Sequence, residues 1–366
     1  MAYTTIDDPS AYFQTVIWTG NNGSNVNVVN DGNSDLQPDL IWAKERTSPG
    51  GYDYNHNWVD SSRGVTKTLW CDSSAAEMTA TQSNYDLQSF NTDGFTTGAP
   101  EYTNSLGGSA VTDGKVAWQW KANGGTTASN TDGTITSTVQ ANQDAGFSIV
   151  TYTGNGSSSQ TVGHGLGVAP DFILVKSRNS VATTDANWIG YHKELTASYK
   201  IQLNKTVAAG TSGNWSSTSP TTSVFSILSG NGGTNASGGN VVAYCFAEKQ
   251  GYSKFGNYVG NGNSNGPFVY TGFRPAWVMI KRTDSTGGWT IYDTKRGVNG
   301  NNYELFPHSS EAEHTATSYF EADILSNGFK LRLTDGQINA SGGTYIYMAF
   351  AENPFVTSTG IPTTAR

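Results

Sequence analysis

Charge and cysteine are both scarce in this sequence. Charged residues make up 14% of its 366 residues, and cysteine occurs only at Cys71 and Cys245. Two thiols cannot form a disulfide framework, so the fold must be held by a hydrophobic core. Cys245 stands within a stretch typical of a β-strand, and we expect it to be a buried thiol.

Basic residues are also few. Lysine and arginine together number 21 against 29 acidic residues, which gives a net charge of −8, and they form no cluster anywhere along the chain. Surfaces that bind nucleic acids carry stripes of positive charge, because they must neutralise phosphates. We therefore expect no nucleic acid among the partners of this protein.

Long apolar runs are absent as well. No stretch of eighteen apolar residues occurs, so we expect no membrane insertion. Residues 1–9 lack the basic region and the apolar core of a signal peptide. We expect a protein that is made in the cytoplasm without a signal peptide.

Glycine and aromatic residues are abundant instead. The chain has 43 glycines, ten tryptophans and an aromatic content of 12%, whereas disordered chains lack aromatics. Short apolar and β-branched runs alternate with Gly/Asn turns, and no segment longer than about ten residues has helical periodicity. These features predict an all-β fold built of antiparallel β-sandwiches.

One strand motif occurs three times. An apolar run that opens with proline and ends in charge is found at 38–46, 170–178 and 275–282, and in each copy a lysine lies six residues after the proline. An aromatic residue followed closely by Gly-Asn precedes each copy, and a β-rich strand closes it. The repeat predicts three tandem modules, each the size of a small domain.

The module boundaries follow from the repeat. We predict a first β-sandwich over 1–121, a Gly/Asn/Thr-rich linker over 122–145, and two further β-sandwiches over 146–250 and 251–356. Residues 357–366 form a polar tail. Part of the linker, 134–140, also alternates like a strand.

One tryptophan follows the motif in every copy, at Trp58, Trp188 and Trp289. A position retained in each module is more economically explained by packing than by a ligand, so we predict that these three rings are structural core. Aromatics that do not repeat are better binding candidates, because a flat ring among small polar residues gives contact area at low entropic cost. The candidates for glycan binding are Tyr52, Tyr54, Tyr102 and Trp215.

No constellation in the sequence indicates catalysis, a metal or a cofactor. The five histidines show no metal-ligand spacing, and an Asx-rich loop at 30–35 lacks the distal glutamate of a calcium loop. An Asp-x-x-Arg-Gly step recurs at 60–64 and 293–297, and the second copy has His192 and Leu195 in its place. We interpret this pair as a structural salt bridge or turn brace, with a catalytic acid as the alternative.

Several longer phrases resemble a known family. The stretches 152–156, 163–176, 244–256 and 349–355 are similar to the DUF7483-type repeat proteins of phages, especially marine ones, which are sometimes labelled SPRY-like. The resemblance covers 12–355. It implies a virion structural protein with lectin-like or jelly-roll β-sandwich modules, and it assigns no catalytic residues.

Two functions compete under this resemblance. The first is a tail-fibre or tip adhesin that binds host-surface glycan without cleaving it. The second is a head-fibre or capsid-decoration protein that contacts the capsid, and a polysaccharide depolymerase is a weaker third. In each case we expect a homotrimer attached to other virion proteins, because symmetric closure is the norm for such assemblies.

Overall fold

The computed structural model describes residues 2–20, 25–48, 53–79, 87–98, 114–179, 186–228, 233–297, 299, 303–315 and 322–363. The all-β prediction is confirmed, since antiparallel strands dominate these residues. Their few helical pieces include the 3-10 turns Pro9–Ala11 and Lys193–Leu195 and the single helical turn α1, Gly336–Asn339. Among the described residues, no helix is long and apolar enough to cross a membrane.

The strands fall into three modules. Module 1 contains β1 Phe13–Thr19, β2 Val26–Val28, β3 Leu40–Glu45, β4 Asn57–Asp60, β5 Lys67–Trp70, β6 Met78–Thr79, β7 Leu87–Phe90, β8 Phe95–Thr97 and β9 Gly114–Trp120. Module 2 contains β10 Ala128–Asn130, β11 Ser137–Asn142, β12 Phe147–Thr153, β13 Gln160–Gly163, β14 Phe172–Ser177, β15 Ile189–His192, β16 Tyr199–Gln202, β17 Gly210–Thr211, β18 Val224–Ile227 and β19 Asn240–Phe246. Module 3 contains β20 Ser253–Val259, β21 Phe268–Tyr270, β22 Phe273–Arg282, β23 Trp289–Asp293, β24 Tyr303–Glu304, β25 His314–Thr315, β26 Ala322–Leu325, β27 Gly328–Leu331 and β28 Thr344–Pro354.

Each module pairs a main sheet with a smaller outer sheet. The main sheets have the orders β1-β9-β3-β4-β5-β6, β10-β11-β12-β19-β14-β15-β16-β17 and β20-β28-β22-β23. In all three, the closing strand lies between the first strand of the repeat and the proline–lysine strand. The outer sheets are β2-β8-β7, β13-β18 and β21-β27-β26.

The central strands of the main sheets are buried on both faces, which explains why they are largely apolar. Alternate side chains of a strand point to opposite faces. On β14, Phe172 and Leu174 therefore belong to a central core, whereas Ile173 and Val175 pack beneath the outer sheet of module 2. The other two modules have equivalent outer cores.

The central core is common to all three modules. The closing strands β9, β19 and β28 bring Trp120, Phe246 and Phe350 together, with ring centroids 6.1 Å apart for Trp120–Phe246, 6.1 Å for Phe246–Phe350 and 5.5 Å for Trp120–Phe350. These residues are equivalent in the three modules, because each pairs with the start of the proline–lysine strand. The three main sheets thus face one another around a pseudo-threefold axis.

The predicted linker is wrong in one respect. Residues 122–145 contain β10 and β11, and β11 pairs along its whole length with β12. The segment therefore extends the main sheet of module 2 instead of separating two domains. Its glycine-rich composition suggested a linker, but Ile135 and Val139 supply alternating apolar side chains to the outer core of module 2.

The repeated Gly-Asn pair is explained by a close approach of two backbone segments. A Cβ atom on Gly154 would lie 2.4 Å from the carbonyl oxygen of Ala236, and one on Gly260 would lie 2.3 Å from that of Ala340. Only glycine fits such an approach. The asparagine after Gly154 then donates its backbone N–H to the side-chain oxygen of buried Asn235, at 2.9 Å.

The three repeated tryptophans, Trp58, Trp188 and Trp289, are all buried in the central core. Two of them donate a hydrogen bond across a module boundary. The indole of Trp188 donates to the carbonyl of Trp70 in module 1 at 2.8 Å, and that of Trp289 donates to the carbonyl of Gln202 in module 2 at 2.9 Å.

Replacing Trp188 tests the shared core. We expect Trp188→Ala to lower the free energy of unfolding by about 3–5 kcal/mol, because it leaves a large cavity. Tyr199→Ala is the matched control: its ring is 46% exposed, and it should change stability by no more than about 0.5 kcal/mol. Urea unfolding followed by fluorescence and circular dichroism measures both values.

A common core also predicts how the chain unfolds. The three modules should unfold in one cooperative transition, because none can expose its inner face without exposing the others. Coincident fluorescence and circular dichroism transitions are the expected result. Separate transitions, with Trp188→Ala shifting only one of them, would contradict the shared core.

Candidate functional site

Two of the four predicted glycan-binding aromatics are buried, so that prediction is wrong for them. Tyr54 is 5% exposed and Trp215 is 2% exposed. The ring of Trp215 lies 6.1 Å from that of Tyr191 within the outer core of module 2, and its indole nitrogen faces the carbonyl of Gly190. Small polar neighbours suggested exposure, but this loop covers a sheet face. Tyr52 and Tyr102 lie outside the described residues.

The described part of the chain contains no group of three or more His, Cys, Asp or Glu side chains that could hold a metal ion. Buried His192 has a structural role. At His192, Nε2 donates to the carbonyl of Tyr347 at 3.3 Å and Nδ1 accepts from the backbone of Glu194 at 3.2 Å. Burial lowers the pKa of His192 to about 4, so the imidazole is neutral at physiological pH.

The boundaries between modules are closed by three equivalent segments, which we call straps: residues 73–77, 205–209 and 309–313. The last residue of each strap donates its backbone N–H to the strand end of another module. These bonds are Glu77 to Arg178 at 2.8 Å, Ala209 to Thr283 at 2.9 Å and Glu313 to Arg46 at 2.9 Å. The strap of module 1 is thus hydrogen-bonded to module 2, that of module 2 to module 3, and that of module 3 to module 1.

The repeated lysines are seam residues. Lys44, Lys176 and Lys281 are buried, and each ammonium donates to a strap carbonyl of a neighbouring module. The acceptors are Ser310 for Lys44 at 3.0 Å, Ser74 for Lys176 at 3.2 Å and Thr206 for Lys281 at 3.4 Å. The alkyl stem fills the core while the ammonium reaches the polar strap, which accounts for a lysine at this position in every copy.

The repeated Asp-Arg pair is a seam contact too, as the structural interpretation predicted. Asp60 and Arg63 form a fully buried ion pair, and the hydroxyl of Tyr244 from module 2 donates to Asp60 at 2.7 Å. The pair Asp293–Arg296 is equally buried, and the indole of Trp118 from module 1 donates to Asp293 at 2.9 Å.

Module 2 has His192 in place of the aspartate of this pair, and the difference has a physical reason. The residue equivalent to Tyr244 and Trp118 is Met348, which presents a thioether without an N–H or O–H donor. A buried carboxylate facing it would be left without that hydrogen bond, at a cost of several kcal/mol. His192 stands there instead and donates to a backbone carbonyl of module 3.

Clefts open to the surface along the three seams. One of about 590 Å³ lies between modules 1 and 2, and its lining includes Tyr12 and Asp144. One of about 270 Å³ lies between modules 3 and 1, where Lys295 and Asp31 form an exposed ion pair at 2.7 Å. One of about 220 Å³ lies between modules 2 and 3 and is lined in part by Tyr3, Glu248, Gln250, Lys254 and Tyr270.

The cleft between modules 2 and 3, which we call the aromatic cleft, was missed by sequence reasoning. Tyr270 in its wall is 54% exposed, and Phe268 on the same face of β21 is 45% exposed. The available signal was the triplet Phe268-Val269-Tyr270, where apolar residues stand at the outward as well as the inward positions of a short strand.

Comparison with known proteins gives one match. The model of a family described as a domain of unknown function, DUF7483, matches residues 8–354. No curated protein and no solved structure matches the chain.

The buried ion pair at the first seam should be essential for stability. We expect Arg63→Ala to cost about 3–5 kcal/mol, because it leaves the carboxylate of Asp60 buried beside Tyr244 without its cation. Arg274→Ala is the control, since it breaks the exposed pair with Glu352 and should cost no more than about 1 kcal/mol. Denaturant unfolding compares the two, and equal costs would show that the seam pair is dispensable.

The seam lysines give stability a defined pH dependence. Burial lowers the pKa of Lys44, Lys176 and Lys281 to about 8 each, from an ordinary value of 10.5. Between these values the unfolded chain holds more protons than the folded chain, so the contribution of each lysine to the free energy of unfolding rises with pH from about 8 to 10.5.

Lys176→Met isolates one such contribution, because methionine occupies similar space without an ammonium. The difference in unfolding free energy between the natural protein and this variant should increase across that pH interval. Unfolding curves at constant ionic strength measure it. A difference that stays constant from pH 7 to pH 11 (a range of about four units) would contradict the lowered pKa.

Proposed function

This chain belongs to the DUF7483 family, and we propose that it is a non-enzymatic structural protein on the surface of a phage particle that binds host-surface glycan, as a tail-fibre or tip adhesin does. The observation that carries the proposal is the difference between the residues buried in the seams and those that line the surface clefts. The repeated lysines and the Asp-Arg pairs are buried in the seams, whereas the surface clefts are lined largely by amide, hydroxyl and tyrosine side chains with a few charged groups. That arrangement suits binding of a polar, uncharged ligand.

The buried carboxylates argue against glycoside cleavage. Asp60 and Asp293 are fully buried and each is bound to an arginine, so neither can reach a sugar. Glycosidases need two carboxyl groups that flank the scissile bond in an open site. The seam positions of these residues support the non-enzymatic proposal over a depolymerase.

A rigid body is a suitable platform for adhesion. Each module is held on both sides by strap hydrogen bonds and contributes to one core, so the surface clefts keep a fixed geometry. Pre-organised sites lose less conformational entropy on binding. We also propose attachment to other virion proteins, with homotrimer formation as one route. Such a trimer would have to use outer surfaces, because the inner faces of the main sheets already pack on each other.

A head-fibre or capsid-decoration role is the second candidate. It is favoured by the shared core, which joins the three modules into one closed body instead of an extended fibre.

Position on the particle tests the proposal. We expect antibody-labelled electron microscopy to place the protein at the tail, and the purified protein to bind host cells and to compete with adsorption of the particle. Labelling of the head together with failure to bind cells would overturn adhesion and favour decoration. Loss of cell binding after enzymatic removal of surface polysaccharide is the expected control result.

A further inference from the structure

We propose that the aromatic cleft between modules 2 and 3 is a saccharide-binding site, in which an uncharged pyranose ring stacks on Tyr270. The inference deepens the proposed function, on which it rests, by naming a site and a ligand class. It is carried by an exposed aromatic ring, a second tyrosine beside it and an ion-paired polar wall that together line one cavity of about 220 Å³.

Tyr270 is presented by an edge strand. β21 pairs with β27 on one side, and Tyr270 lies opposite Gly328, so no side chain on its direct cross-strand partner covers the ring. Between the two exposed rings, Val269 is buried in the outer core and fixes the strand. The ring of Tyr270 therefore stands on a rigid base with half of its surface open to solvent.

Tyr3 brings a second phenol to the same place. Its hydroxyl donates to the carbonyl of Gly272 at 2.5 Å, which ties the N-terminal segment to module 3. A Cβ on Gly272 would lie 2.8 Å from the hydroxyl of Tyr3 and 3.6 Å from that of Tyr270, so both hydroxyls converge on this glycine. Burial, followed by the hydrogen bond with Tyr270, raises the pKa of Tyr3, which keeps its phenol protonated.

The opposite wall supplies polar partners without net charge. Glu248 accepts hydrogen bonds from Lys193 at 2.8 Å and from Lys254 at 2.6 Å. Lys193 also pairs with Asp171 at 3.2 Å, so two carboxylates balance two ammonium groups. A carboxylate oxygen can accept more than one bond, and an ammonium has three donors. The exposed amide of Gln250 adds both a donor and an acceptor.

This combination selects sugars among the common ligand classes. Pyranose rings offer an apolar face of C–H groups for an aromatic ring and a rim of hydroxyls for carboxylate, ammonium and amide groups. A phosphate or nucleotide is disfavoured because Lys254, the cation in the lining, is already paired with the carboxylate of Glu248. The volume suits one ring or the terminal residue of a chain, not a large ligand.

Among the residues that the structure describes, the other two clefts have no exposed ring for stacking. In the cleft between modules 3 and 1 the aromatic residue is Phe13, which is buried, and in the cleft between modules 1 and 2 it is half-buried Tyr12. The three clefts therefore differ, and of the described residues that line them Tyr270 presents the exposed aromatic ring.

Saccharide titration of the purified full chain tests the inference. The probes are glucose, galactose, mannose and N-acetylglucosamine at millimolar concentration, observed by saturation-transfer NMR and by calorimetry. We expect at least one sugar to bind, with Tyr270→Ala weakening it by about tenfold and Tyr270→Phe by less than about threefold, since phenylalanine keeps the stacking face.

Tyr199→Ala is the matched control, because Tyr199 is a similarly exposed tyrosine on β16, outside the three clefts described. It should bind sugar like the natural protein, and all variants should keep the same melting temperature. Failure of every sugar to bind, or equal binding by Tyr270→Ala, overturns the inference.

Cell binding separates this inference from the proposed function. If Tyr270→Ala binds host cells as well as the natural protein does, adhesion stands and the aromatic cleft is not its site. If the natural protein binds the sugar through Tyr270 but does not bind cells, the saccharide site stands and the adhesin proposal fails.

Discussion

The structure depends on the meeting of three aromatic rings at its centre. Trp120, Phe246 and Phe350 come from the same position of three closing strands, and each touches the other two. Burying them requires all three main sheets to be present, because each sheet supplies one ring and covers the others. The hydrophobic effect acting on this shared core therefore joins three repeats into a single body.

Around that core, the polar residues are arranged in a closed cycle. Each module offers a strap to one neighbour and a buried lysine to the other, so the contacts run in one direction and return to the start. Such head-to-tail interfaces close into a ring only when the rotation fits. Here one chain achieves the closure that separate subunits achieve in a cyclic trimer. The repeat is not exact where the facing side chain differs. His192 replaces the aspartate in module 2, because the module that it faces has Met348 in place of a hydrogen-bond donor.

The binding function that we propose would use the surface between the modules. Buried ion pairs and lysine hydrogen bonds connect the modules at the seams, and the seams also leave clefts at the surface. In the described part of the chain, one cleft is lined by an exposed aromatic ring, Tyr270, whereas the other two are not. A threefold scaffold can thus keep its core constant while a single seam acquires a binding surface, because changes at the rim do not affect the packing at the axis.

The sequence by itself determined the all-β class, the three repeats and the structural nature of Trp58, Trp188 and Trp289, because strand periodicity and repeated residues are local signals. Residues such as Lys44 and Asp60 were recognisable as repeated, but their role was not, since their partners lie in other modules. Exposure was decided only by tertiary structure. Trp215 stands in a polar loop and is buried, whereas Tyr270 stands in an apolar strand and is exposed. Burial depends on which surface a segment covers, and that surface is assembled from residues far apart in the chain.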